Sequence, residues 1–297
     1  MAIKLLFLSD LHLGEGPSLL NASAGLRCFA EHLDTIVAGQ AVDTLVLGGD
    51  VVDQVLSSSE TYEARARAFF AATLPKLPGL RKVVYLFGNH DLALFRTLFC
   101  DGQPQSRFFV AGVGEDGHPG VGRLKSLLMG DVAVPLVVAN PVYVEESGRR
   151  VYVFHHGHHL REDLVRHWLA YRLLDLNLID RRLLDTELEF GSPAPEDATT
   201  LEEFESGTFP LVTTFWRNSR NVEVPTQEKL YTWFHKMSHP SDGPRRVEPG
   251  ARPYDLGRMA LDAFGQDVIP HKYFPALRRS RHLHLPAGKP VTLLYGD

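Results

Sequence analysis

The chain has 297 residues, 44% of them hydrophobic, and its 31 basic and 36 acidic side chains give a formal charge of −5. That length can bury a sizeable core, and 23% charged residues without a long polar tract exclude a disordered or fibrous chain. The mildly acidic balance weighs against a protein that coats duplex nucleic acid. Two cysteines, Cys28 and Cys100, exclude a disulfide framework and point to a reducing compartment, so the cytoplasm is the expected location. No apolar run reaches the ~20 residues of a membrane span, and Ile3 to Leu8 is too short for a signal-peptide core. The composition includes 14 histidines, and their positions carry more information than their number.

Ile3 to Leu8 is a continuous apolar run ending at Ser9-Asp10, as in a strand buried on both faces. Leu26, Phe29, Leu33, Ile36 and Val37 recur at helical spacing from about Ala22 to Ala38, with Gly39 as the stop. Thr44 to Leu47 is a second strand running into Gly48-Gly49-Asp50. Glu60 to Leu74 reads as a helix, and Lys82 to Phe87 is a third strand, followed by Gly88-Asn89-His90-Asp91. This β-α-β-α-β order predicts parallel strands with crossover helices. From Val134 the pattern turns hairpin-like. Leu136 to Val144 and Val151 to Phe154 flank a Glu-Ser-Gly turn and lead to His155-His156-Gly157. Leu160 to about Phe190 reads as helix, 191–207 as an acidic loop, Gln227 to Met237 as helix and Ser238 to Pro253 as a surface connection. Ser280 to Tyr295 reads as two strands around Pro286-Ala287-Gly288-Lys289.

Polar residues that can bind metal follow each of the first three strands, and in a parallel sheet these strand ends lie at the carboxyl edge, where ligands bind. Asp10 and His12 come from the first, Asp50 and Asp53 from the second, and Asn89, His90 and Asp91 from the third. Carboxylate, imidazole and amide donors suit hard or borderline divalent ions. One carboxylate can bridge two ions ~3.5–4 Å apart, the spacing used for in-line displacement at phosphorus, and Asp50 is the natural bridge. Further nitrogen ligands are available from His156 and from His282-Leu283-His284.

Asp10-Leu11-His12, Gly49-Asp50-Val51-Val52-Asp53, Gly88-Asn89-His90-Asp91 and His156-Gly157-His158 together resemble the calcineurin-like metallophosphoesterase family. The family's last motif is usually Gly-His-x-His, and Arg281-His282-Leu283-His284 stands in that place. The resemblance implies a four-layer α/β/β/α sandwich, a single domain over 1–297 with a helical insertion or lid at 160–275. It implies a first ion held by Asp10, His12, Asp50 and His284, and a second by Asp50, Asn89, His156 and His282. Manganese is the first expectation, and iron, zinc and nickel accept the same donors. A metal-activated water is the implied nucleophile. His90 is implied as the acid at the leaving oxygen rather than a ligand, oriented by Asp53, while Asp91 fixes the loop. Asn89, His158 and Arg161 are candidate substrate contacts.

Side chains alternate along an extended segment, so His155 and His159 are read as packing or solvated residues, as are His235 and His239, which precede Pro240. The insertion interleaves Leu160, Leu164, Trp168 and Leu169 with Arg161, Arg166 and Arg172. This is the pattern of a packed helix with a cationic face, or of a lid whose arginines hold phosphate. Its position is loosely similar to that of the insertion in UDP-2,3-diacylglucosamine pyrophosphatases. The expected substrate is a phosphorylated small molecule, nucleotide or nucleotide-lipid, with nucleic acid disfavoured and peripheral membrane contact left open. The rival expectation is a non-catalytic metal-binding or protein-interaction scaffold on the same fold.

Overall fold

The computed structural model describes residues 3–16, 18–54, 57–88, 90–99, 110–157, 274–280, 283, 285–286 and 288–296. The chain forms two compact units, Met1–Gly157 with Leu285–Asp297, and His158–His284. The expected helices and loops between 160 and 253 lie outside the described residues. Of the second unit, the described residues include a short helix, Phe274–Arg278.

The first unit is an α/β sandwich. Strands β1 (Ile3–Leu8), β2 (Val42–Gly48), β3 (Lys82–Leu86), β4 (Val110–Gly114) and β5 (Leu136–Asn140) form one sheet in the order β1-β2-β3-β5-β4. In it β1, β2, β3 and β5 are parallel and β4 is antiparallel to β5. A second sheet contains β6 (Val142–Ser147), β7 (Arg150–His155) and β8 (Val291–Tyr295), with β6 antiparallel and β8 parallel to β7. Helices α1 (Ser23–Val37), α2 (Ser59–Thr73), α3 (Leu92–Phe99) and α4 (Pro119–Leu128) make up the helical layer. The described residues thus hold three of the expected four layers.

Alternation along the strands explains how the layers join. Val46, Val84, Leu86 and Ala139 point one way from the first sheet and pack with Phe154 of the second, joined by Phe7, Tyr143 and Leu294. The intervening residues Leu45, Leu47, Val83, Tyr85 and Val138 are equally buried, as expected for a parallel sheet covered on both faces.

Several elements differ from the sequence reading. The run from Leu136 to Val144 is two strands, because Pro141 lacks an N–H to continue a ladder and the chain passes there from one sheet to the other. Ser280, Leu283, Leu285 and Pro286 are not in a strand, so only the second of the two C-terminal strands is among the described residues. Helix α1 ends one residue earlier than Gly39 suggests, with Ala38 already left-handed at φ 49°. Ile36 lies at the edge of the α1 stripe defined by Ala30, Leu33 and Val37 and is 55% exposed.

The shared core between the sheets carries the first expectation. Phe154→Ala should cost about 3–5 kcal/mol in urea unfolding at an unchanged m-value. A loss below about 1 kcal/mol would show that the sheets do not depend on this contact.

Candidate metal centre

The parallel register sets the site. Leu8 pairs with Leu47 and Gly48 with Leu86, so β1, β2 and β3 end side by side and the loops that follow emerge at one edge. Beyond the strands the first two loops stay joined through their backbones. Asp10 N donates to Gly49 O, His12 N to Asp50 O, Leu13 N to Val51 O, and Asp53 N back to Leu13 O, at 2.9–3.1 Å. The third loop is tied in by Gln54 N, which donates to His90 O, and by His90 N, which donates to Asp50 Oδ1 at 2.8 Å.

Asp10, His12 and Asp50 all have positive φ, at 56°, 44° and 50°. This region is unfavourable for residues with a Cβ. Gly88 is required for a different reason: a Cβ there would overlap Asp50 Oδ1 and lie 2.5 Å from Asp50 N. Asp91 fastens the same corner. Its carboxylate accepts from Gly88 N at 2.6 Å, Tyr85 OH at 2.7 Å and Val51 N at 3.0 Å.

Two groups of donor atoms meet at Asp50, each with its atoms within 4.8 Å of one another: Asp10, Asp50 and His156, and His12, Asp50 and His90. A third group, His12, Glu15 and Asp53, adjoins them. The side chain of His156 is fully buried at the end of β7, with Nδ1 3.0 Å from Gly48 O and Nε2 3.3 Å from Asp50 Oδ2. Since a carbonyl can only accept, Nδ1 carries the hydrogen. Nε2 therefore faces the carboxylate, where either a proton on the ring or a metal ion can satisfy both groups.

The charges agree. Burial alone would lower the His12 pKa, but the Asp53 hydrogen bond and the charges of Asp50, Asp53 and Glu15 raise it to about 9. Burial likewise opposes, and Asp50 and Asp53 drive, a raised pKa at His90. Burial would raise that of Asp50, but the charges of His156 and His90 hold it below the usual carboxylate range. Burial and the Asp50 charge push Asp91 up to about 7, against the hydrogen bonds it accepts. Imidazoles held protonated by buried carboxylates mark a place where cations replace protons, so these residues fit divalent ions.

The site thus brings together Asp10, His12, Asp50, Asp53, His90, Asp91 and His156. His90 sits inside one donor group although the sequence pattern gives it no ligand role. Asn89, His158, Arg161, His282 and His284 lie outside the described residues. His155 is buried, and its Nδ1 accepts from Gly157 N. Sequence reasoning missed Tyr85, whose hydroxyl holds Asp91, and Gly296, where a Cβ would overlap Ser9 Oγ and lie 2.5 Å from Asp10 Oδ2. Gly296 follows β8 as Gly88 closely follows β3, so a glycine after a strand was the available signal.

Carboxylates and imidazoles gathered at the strand ends of an α/β sandwich define a site for divalent ions. The chain belongs to the calcineurin-like phosphoesterase family, whose model matches residues 3–277. The match ends before His282. Comparison with curated proteins and with solved structures gave no match. No helix among the described residues is long and apolar enough to cross a membrane.

The contact at Gly88 yields the second expectation. Gly88→Ala drives a methyl group into Asp50, and relieving ~1–3 kcal/mol of overpacking by displacing the carboxylate should lower Mn²⁺ affinity about 5- to 150-fold. Wild-type affinity by titration calorimetry would show that the corner relaxes without moving the carboxylate.

Proposed function

We propose that this protein hydrolyses a phosphomonoester, phosphodiester or pyrophosphate bond with two divalent ions that share the Asp50 carboxylate. The observation that carries this reading is that both donor groups include Asp50, one with Asp10 and His156 and the other with His12 and His90. Asn89, His282 and His284 remain ligands by sequence resemblance alone. Bound ions would supply Lewis acidity and bring the pKa of water towards neutrality.

The protein's own residues would do the rest. His90 is positioned as the proton donor: Nδ1 lies 2.8 Å from the buried Asp53 Oδ2 and carries the hydrogen of that contact, so a transferable proton would be the one on Nε2. Its side chain is 17% exposed, which gives a leaving oxygen access to the ring. The charges of Asp50 and Asp53 raise its pKa and so favour the protonated ring, the form that can both stabilise a phosphoryl oxygen and give up a proton. Asp53 positions the ring and does not itself meet the reacting atoms. Manganese is the ion for a first test, and the substrate is a phosphorylated small molecule or nucleotide.

With Mn²⁺, the protein should hydrolyse mono- or bis-p-nitrophenyl phosphate or a nucleotide-sugar, and EDTA should abolish the activity. His90→Ala should lower kcat about 10²- to 10⁴-fold. Failure on every one of these substrates, or a His90→Ala variant as active as wild type, overturns the reading. Partner binding indifferent to chelators would then identify a scaffold.

A further inference from the structure

Asp53 is fully buried, yet it faces two imidazoles. Its Oδ2 lies 2.8 Å from His90 Nδ1 and 3.4 Å from His12 Nδ1, and the two rings meet edge to face with centroids 4.6 Å apart. The backbone that carries this carboxylate is held in place between the two rings. Its own N donates to Leu13 O, and the next residue, Gln54, donates its N to His90 O, so the backbone is tied to both loops that carry the rings. Glu15 is the other carboxylate near His12 Nδ1, but at 3.8 Å it is beyond hydrogen-bond distance.

We infer that Asp53 is a shared positioning residue, whose single oxygen Oδ2 orients His12 for metal binding as well as His90 for proton donation. An ionised carboxylate only accepts, so both Nδ1 atoms carry hydrogen and both rings direct Nε2 away from Asp53. For His12 that direction is the Asp50 carboxylate, with Nε2 3.8 Å from Asp50 Oδ2. A hydrogen-bonded carboxylate behind a ligating imidazole fixes its orientation and strengthens it as a donor. The consequence is specific: losing Asp53 should harm ion binding through His12 as well as the proton-donating step, and so harm ion binding more than losing His90 does. This inference rests on the proposed role of His12 as a ligand.

Calorimetric titration of wild-type, Asp53→Ala and His90→Ala proteins with Mn²⁺ separates the outcomes. Asp53→Ala should lose about 10- to 100-fold in affinity at one ion site, and more than His90→Ala does, because Asp53 loss releases His12 as well as His90 while His90→Ala leaves the Asp53–His12 contact in place. Wild-type affinity in Asp53→Ala, alongside a kcat loss matching His90→Ala, overturns the shared role and leaves the proposed function intact. A wild-type protein that takes up no Mn²⁺ overturns the two-ion reading itself. Should Asp53→Ala fail to fold, nitrogen-resolved imidazole NMR of the metal-free wild type decides: hydrogen on Nδ1 of His12 is expected, and a bare Nδ1 overturns the inference.

Discussion

Burying the Asp50 carboxylate is the constraint around which the site is organised. An ionised group that is 3% exposed is costly unless hydrogen bonds and opposite charge compensate it. His90 N satisfies one oxygen, and the imidazoles of His12 and His156 approach the other at 3.8 and 3.3 Å. Gly88 leaves out the side chain that would otherwise occupy the space of this carboxylate. Each compensating group comes from a different strand end, so the charge ties together β1, β2, β3 and β7. Removing the cationic partners would leave an uncompensated buried charge, which is why the site calls for either protons or metal ions.

The loops bearing these groups are extensions of the sheet rather than loose connections. The hydrogen bonds between residues 10–13 and 49–53 continue the parallel β1–β2 pairing past the strands, and Leu13 and Val52 form an isolated bridge. Asp91 clasps the third loop onto the second through Val51 N, and Tyr85 holds Asp91 from within β3. Donor atoms are therefore held in place before any ion arrives, at the cost of three residues with side chains in the left-handed region. Strain of this kind persists where surrounding hydrogen bonds over-determine the backbone, as they do here.

The strands and helices before Gly88 were readable because their signals are local. Continuous apolar runs such as Ile3 to Leu8 and the Leu33–Val37 stripe report burial directly. The stretch from Leu92 to Leu128 was not readable in the same way. Helix α3 is apolar almost throughout, β4 is the glycine-containing Val110-Ala111-Gly112-Val113-Gly114, and α4 carries two glycines and an unusual histidine cap. Their identity comes from packing, as Phe95, Phe99 and His118 stack in a row and Phe87 lies tilted against Phe95. Propensity does not encode such contacts. The break at Pro141 was visible as a residue, but that the chain there leaves one sheet for another depends on which neighbours each half pairs with.

The sequence by itself determined the chemistry: which residues follow which strands, that they are carboxylates and imidazoles, and that they suit divalent ions in a phosphoesterase. It could do so because residue type and strand-end position are properties of the chain read in order. Asp50 was already legible as the shared carboxylate, but only the tertiary structure decided that it meets Asp10 with His156 and His12 with His90, that His156 turns Nε2 towards it, and that Asp53 reaches His12 as well as His90. Those relations join residues 12, 50, 53, 90 and 156, brought within a few ångströms by sheet register and by the burial of charge, and no local pattern along the chain contains them.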